Sequence, residues 1–163
     1  MLASPQSKWN IFLSKFIGVQ LLIVVFLFIN QTMMFVDAII LHFKEPELHV
    51  LNQSLDVSKW LSIIGSTYLA LSALCAIQFW MGLRFKNFIA PIAIGIALWF
   101  VGTIVVMQSQ SGFALFFPYS FHVYDSFPKY EPQRNTIGLT SFIYCVAFLL
   151  LGFLDFKRGR SKA

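Results

Sequence analysis

Residues 78–120 read QFWMGLRFKNFIAPIAIGIALWFVGTIVVMQSQSGFALFFPYS, and this stretch decides the fold. One apolar segment ends at Trp80, the turn Met81-Gly82-Leu83-Arg84-Phe85-Lys86-Asn87 follows, and a second apolar segment runs from Phe88 to Met107. The turn is too short to leave a membrane surface, and it carries the cations Arg84 and Lys86. That is the form of a tight cytoplasmic turn between antiparallel transmembrane helices. Pro91 falls in the first turn of the second helix, where a missing amide hydrogen costs little, and Gly95 and Gly102 lie further along. The chain is then delivered to Phe116-Phe117-Pro118-Tyr119-Ser120.

The rest of the chain has the same character. It is 58% hydrophobic, with a mean hydropathy of +0.73, which a water-soluble domain of this length sustains only with large exposed apolar patches. Nineteen of its 163 residues are Phe, as lipid-facing helices allow. Cys75 and Cys145 both sit inside apolar runs and form no CxxC motif, so they read as core residues and not as a redox pair. The net charge of +5 lies beside apolar spans and forms no basic stripe, so it indicates membrane orientation and not nucleic acid binding.

Before the central hairpin, residues 1–10 are short and polar, and the long apolar run after them is unlike a signal peptide. A first span is expected at about residues 12–34, with Lys15 snorkelling at its inner end. Gln20, Asn30, Gln31 and Asp37 in or beyond it read as interfacial or helix-to-helix hydrogen-bonding groups. Residues 41–58 are expected to form an external loop. There His42, Glu45, Glu47 and His49 follow no metal-ligand spacing, and Asn52-Gln53-Ser54 matches a glycosylation sequon. A second span, about 60–80, is bracketed by Trp60 and Trp80 as interfacial anchors, and Gly65, Ser66, Ser72, Ala73 and Ala76 provide small residues for close packing.

After the hairpin, spans are expected at about 88–107 and 138–154. The external loop between them, about 108–137, holds Phe113 to Phe117, Tyr119, Phe121, Tyr124 and Phe127, too aromatic to project into water. His122 in it reads as a hydrogen-bonding residue and not as a catalyst. The fold class is therefore all-α: a polytopic bundle of four spans in a single membrane domain. Lys8, Lys15, Arg84, Lys86, Lys157, Arg158, Arg160 and Lys162 fall on one side, and Lys44, Lys59, Lys129 and Arg134 on the other. The larger set belongs in the cytoplasm, which places both termini inside.

Catalytic patterns are missing. GxxxxGK[ST], HExxH, GxSxG and paired carboxylates within one span are all absent, so neither an enzyme nor a cofactor or metal site is expected. Few ionisable groups lie inside the spans, which argues against a carboxylate proton relay.

The segment Leu2-Ala3-Ser4-Pro5-Gln6-Ser7-Lys8-Trp9-Asn10-Ile11-Phe12-Leu13-Ser14-Lys15 resembles the entry to a middle span of type-2 ABC export permeases. Residues 78–88, Ile94-Gly95-Ile96 and Phe117-Pro118-Tyr119-Ser120 are similar to the second half of the same permeases, of the bacterial lantibiotic-protection and bacitracin-export kind. The resemblance implies a subunit of the bacterial cytoplasmic membrane that has no ATPase motif of its own. It would move a peptide, antibiotic or lipid-like substrate with a separate ABC ATPase and a second permease chain, as a homodimer or heterodimer. By the same resemblance, Lys8, Lys15, Arg84 and Lys86 are expected nearest the ATPase, and Gly95, Gly102, Phe117, Pro118 and Tyr119 along the outer pathway. Such permeases have six spans, and the first two are not in this sequence, so a truncated permease or a divergent four-span protein is expected. The alternative is a small four-span accessory or assembly protein without transport activity.

Overall fold

The structure, a computed structural model, describes residues 7–48, 56–108 and 112–158. Residues 2–6 of the N-terminal motif, His49, the 52–54 sequon, Arg160 and Lys162 lie outside the described residues. Four long helices carry the fold: α1 (Lys8–Lys44), α2 (Val57–Arg84), α3 (Ile89–Gln108) and α5 (Arg134–Lys157). Between α3 and α5 the chain makes two 3-10 turns (Gly112–Phe116 and Pro118–Ser120), the short helix α4 (Phe121–Ser126) and a third 3-10 turn (Pro128–Gln133). The four long helices are each long and apolar enough to cross a membrane, and no strand occurs among the described residues. The chain is an all-α polytopic membrane bundle.

Side chains mark the helix starts. The Ser7 hydroxyl accepts the Asn10 amide at 3.3 Å, and Asp56 accepts the Lys59 amide at 3.1 Å. Asn87 accepts the Ile89 amide at 3.0 Å, so the turn between α2 and α3 is fixed from its own sequence.

The helices overrun the expected spans, and the local sequence explains why. Residues 35–44 contain neither Gly nor Pro, so α1 continues to Lys44, just before Pro46, instead of giving way to a loop at 41. At 37 residues it is ~55 Å long, well beyond the ~30 Å of a hydrocarbon core. Helix α2 likewise runs on through Met81-Gly82-Leu83-Arg84, leaving a connection shorter than the seven-residue turn expected there. Helix α5 begins at Arg134, inside what the sequence suggests is loop.

Helices α2 and α5 form the closest pair. Small residues bring their backbones together: Ala70, Ser72, Ala73 and Ala76 of α2 are buried, as is Ser141 of α5. The Ser141 and Ser72 hydroxyls both donate to the Leu69 carbonyl, and the Ala73 amide donates to Ser141 Oγ at 3.2 Å. Without a hydrophobic drive between helices in lipid, close contact and such bonds hold the pair. Gly65, expected to serve the same packing, instead has nothing within 4 Å of where a Cβ would stand, and it lines an open groove beside α1.

Helix α1 is held differently. Phe12 is its one buried residue, with its ring laid on Gly152 and edge-on to Phe79 and Phe153 at 5.3 and 5.6 Å. Further out, two polar clasps reach α2: Tyr68 donates to Gln20 at 2.8 Å, and the Trp60 indole donates to Gln31 at 3.1 Å. Between and beyond these points, residues such as Leu22, Phe26, Phe28 and Ile40 face outward to lipid or to another membrane chain.

Phe12→Ala is expected to cost about 3 kcal/mol, the scale for deleting a buried aromatic ring. Gln20→Leu and Gln31→Leu should each cost only about 0.6 kcal/mol, the mean for a hydrogen bond between membrane helices. Thermal unfolding of the purified chain in detergent would rank the three, and a larger loss at either Gln would show that the clasps anchor α1.

Candidate functional site

The aromatic segment after α3 turns back into the bundle. An added Cβ at Gly102 would stand 2.5 Å from the Tyr119 carbonyl oxygen and 2.7 Å from its carbon, so the Tyr119 backbone rests on the bare face of α3. Gly102 lies six residues from the C-terminal end of α3, which puts this contact ~9 Å from that end. Ala114, Ser120 and Phe121 are fully buried, and Phe121, Val123 and Tyr124 join Ala70, Ala73, Val106 and Ile137 in one cluster. Where the aromatic content points to a return to the bilayer interface, the segment goes further and is inserted among α2, α3 and α5.

The Tyr119 side chain descends further still. Its hydroxyl accepts a hydrogen bond from Gln78 Nε2 at 2.9 Å, and the Gln78 amide lies directly on Gly95, filling the space a side chain would need. Phe117 stacks on Phe113 at 6.3 Å and packs beside Tyr119 at 5.9 Å, and Pro118 is buried. The structure thus gathers Gly95, Gly102, Phe117, Pro118 and Tyr119 into one closed seam. Gln78 is the polar member that sequence reasoning missed, although an amide inside an apolar span was a visible signal. Gln78 also lines two grooves: one of about 300 Å³ beside Tyr119 and Trp99, and one of about 510 Å³ that runs past Phe88 and Pro91 to Lys86. At the centre of the seam one hydrogen bond joins the Gln78 amide to the Tyr119 phenol.

The end of the bundle where α2 meets α3 gathers charge. Arg84 pairs with Asp155 at 3.4 Å and stands 5.4 Å over the Trp80 ring, while the Trp80 indole donates to the same Asp155 oxygen at 3.0 Å. Lys8 donates to the Lys157 carbonyl at 3.4 Å. The Arg84 side chain is 54% exposed, so this ion pair contributes little stability by itself. Lys15 is exposed on α1, ~10 Å along the helix from Lys8, and Lys86 is exposed in the turn. Asp155, which ties α5 to α2, was legible only as a carboxylate set among the cations of the last span.

His122 accepts the Trp99 indole N–H through Nε2. An indole only donates, so this ring is neutral with its proton on Nδ1. Burial acts in the same direction and holds the His122 pKa below the ordinary histidine value. His42 stands at the end of α1 against Phe43. No cluster of three or more His, Cys, Asp or Glu among the described residues has the geometry to hold a metal ion.

A sequence-family model described as Protein of unknown function (DUF2705) matches residues 2–159, nearly the whole chain. The chain belongs to the DUF2705 family. No curated protein and no solved structure matches it. In this DUF2705 chain the closed seam and the cationic end are therefore read from their own geometry.

Gly102→Leu should dislodge the inserted segment, because the clash is with backbone and not with a movable side chain; a loss of roughly 1–3 kcal/mol is expected from overpacking. Gly18→Leu, at a position with open space, serves as the neutral control in the same detergent melts.

The pH dependence follows from His122. Its folded-state pKa lies below the unfolded value of about 6.5, so its contribution to stability is complete above that pH and declines as pH falls below it. Unfolding midpoints measured from neutral to mildly acidic pH should drop in the native chain and flatten in His122→Gln.

Proposed function

We propose that this chain is the membrane-spanning subunit of an ATP-driven ABC exporter, working in the bacterial cytoplasmic membrane with a separate ATPase and a second permease chain. The observation that supports it best is the inserted segment closing a seam on Gly95 and Gly102, with two grooves that both reach Gln78, the partner of Tyr119. A permease needs a part that closes the membrane at rest and opens at small energetic cost. One neutral hydrogen bond and a set of aromatic contacts meet that need.

In this reading the cationic end is cytoplasmic and both termini are inside. Lys8, Lys15, Arg84 and Lys86 face the ATPase, and closure of the ATPase is transmitted through the short α2–α3 turn. Movement of α3 against α2 then separates Gly95 from Gln78 and frees Tyr119, joining the two grooves. The substrate is a peptide, antibiotic or lipid-like molecule, in keeping with the apolar lining of the seam. The largely uncovered α1 supplies a surface for the second permease chain.

Affinity capture of the tagged chain from native membranes tests the assignment. An ABC ATPase is expected among the recovered proteins, and Arg84→Glu with Lys86→Glu should reduce its recovery without loss of membrane insertion. Recovery of folded chain with no ATPase would point instead to an accessory four-span protein. Orientation is checked separately, with Cys75 and Cys145 replaced by Ala. A membrane-impermeant maleimide should label Glu45→Cys in intact cells, and Ser7→Cys only after permeabilisation.

A further inference from the structure

At the opposite end from Arg84, a cleft of about 470 Å³ opens between α1 and the start of α5, with α2 as its floor. Its lining is of two kinds. Phe26, Leu27, Ile63 and Leu71 supply apolar surface, with Asn30, Gln31 and Thr67 as neutral polar groups among them, while Lys59, on the first turn of α2, and Arg134, the first residue of α5, bring positive charge from the helix starts. The Arg134 side chain is only 19% exposed, and its carboxylate partner Glu131, at 3.7 Å, is the more open of the two at 56%. No carboxylate among the described residues pairs with Lys59. His122, which also lines the cleft, is neutral through its bond to Trp99, so Lys59 and Arg134 are the cations of its lining.

The dimensions suit one leaflet. From Lys59 to Leu71 is twelve residues of helix, ~18 Å, close to half of a ~30 Å hydrocarbon core plus its boundary. We propose that this cleft binds one anionic phospholipid from the leaflet at this end of the bundle. Its phosphate is drawn to Lys59 and Arg134, and an acyl chain lies along Ile63, Leu71 and Phe26. Charge complementarity selects the headgroup, since a cation near a membrane surface attracts anionic lipid while the apolar cleft takes any chain. The inference needs only that the helices span a bilayer, and it stands apart from the exporter reading.

The test is native mass spectrometry of the chain released into mild detergent from vesicles of equimolar phosphatidylglycerol and phosphatidylcholine. The native chain should retain phosphatidylglycerol in roughly thirtyfold preference, the scale set by two cations at a membrane surface. The double variant Lys59→Gln, Arg134→Gln should approach parity, and Lys15→Gln should keep the preference. Because Arg134 opens α5 and its loss can disturb folding, Ile63→Trp provides a second route: it fills the apolar part and should reduce retention of both lipids. Parity in the native chain, or an unchanged preference in the double variant, would overturn the proposal. Equal loss in Lys15→Gln would reduce the effect to bulk charge. Displacement by millimolar inorganic phosphate alone would replace the lipid with a free-anion site.

Discussion

Everything in this fold accommodates one demanding feature: a broken run of short 3-10 turns inserted among helices that cross a membrane. Lipid offers no hydrogen-bond partners, so such backbone survives only where protein encloses it and satisfies its polar groups. The inserted segment achieves this with its own turns: the Phe117 amide reaches the Ala114 carbonyl at 3.4 Å, and the Ser120 amide reaches Phe117 at 3.0 Å. The Ser120 hydroxyl lies on the Phe117 carbonyl at 2.6 Å and is fully buried. Enclosure requires close approach, and Gly102 is what permits it. A side chain there would hold the Tyr119 backbone away from α3 and open the space the segment now fills.

The same requirement divides the bundle into parts of unequal firmness. Helices α2 and α5 meet through Ala and Ser, with backbone and hydroxyl groups bonded across the contact, and the inserted segment packs on them. Helix α1 touches this body through one aromatic cluster near Lys8 and two side-chain clasps. Its separation from the rest leaves grooves along α2 on both of its flanks, with Leu27 and Gln31 shared between them. A helix attached at few points can shift without disturbing the central pair, and it leaves apolar surface for lipid or a second chain.

The four spans were legible because long apolar runs need no tertiary information. Their ends were less so: the charged residues that bound the hydropathy of a span, such as Asp37 and Arg84, do not break a helix. Gln20 and Gln31 were readable as helix-to-helix bonding groups, and both reach α2. Grouping Gly95 and Gly102 with Phe117, Pro118 and Tyr119 was also within reach of the sequence. Gln78, which bridges them, was not singled out, since its role depends on which face of α2 turns toward α3. Asp155 and Phe12 were hidden for the same reason: each matters through a partner more than a hundred residues away or on another helix.

The two ends of the bundle show why charge counting alone underdetermines function. Topology requires of a cation only that it stay on its own side of the membrane, and Lys15 stands exposed on α1. At the α2–α3 end, Arg84 and Lys8 are held by groups of the protein itself: Asp155, the Trp80 ring and the Lys157 carbonyl. At the other end Arg134 is drawn into the wall of a cleft, covered far more than orientation needs. Covering a guanidinium costs solvation, which its ion pair with Glu131 at 3.7 Å helps to offset. A phosphate entering from the leaflet, placed between Arg134 and Lys59, meets two cations that each stand in the first turn of a long helix.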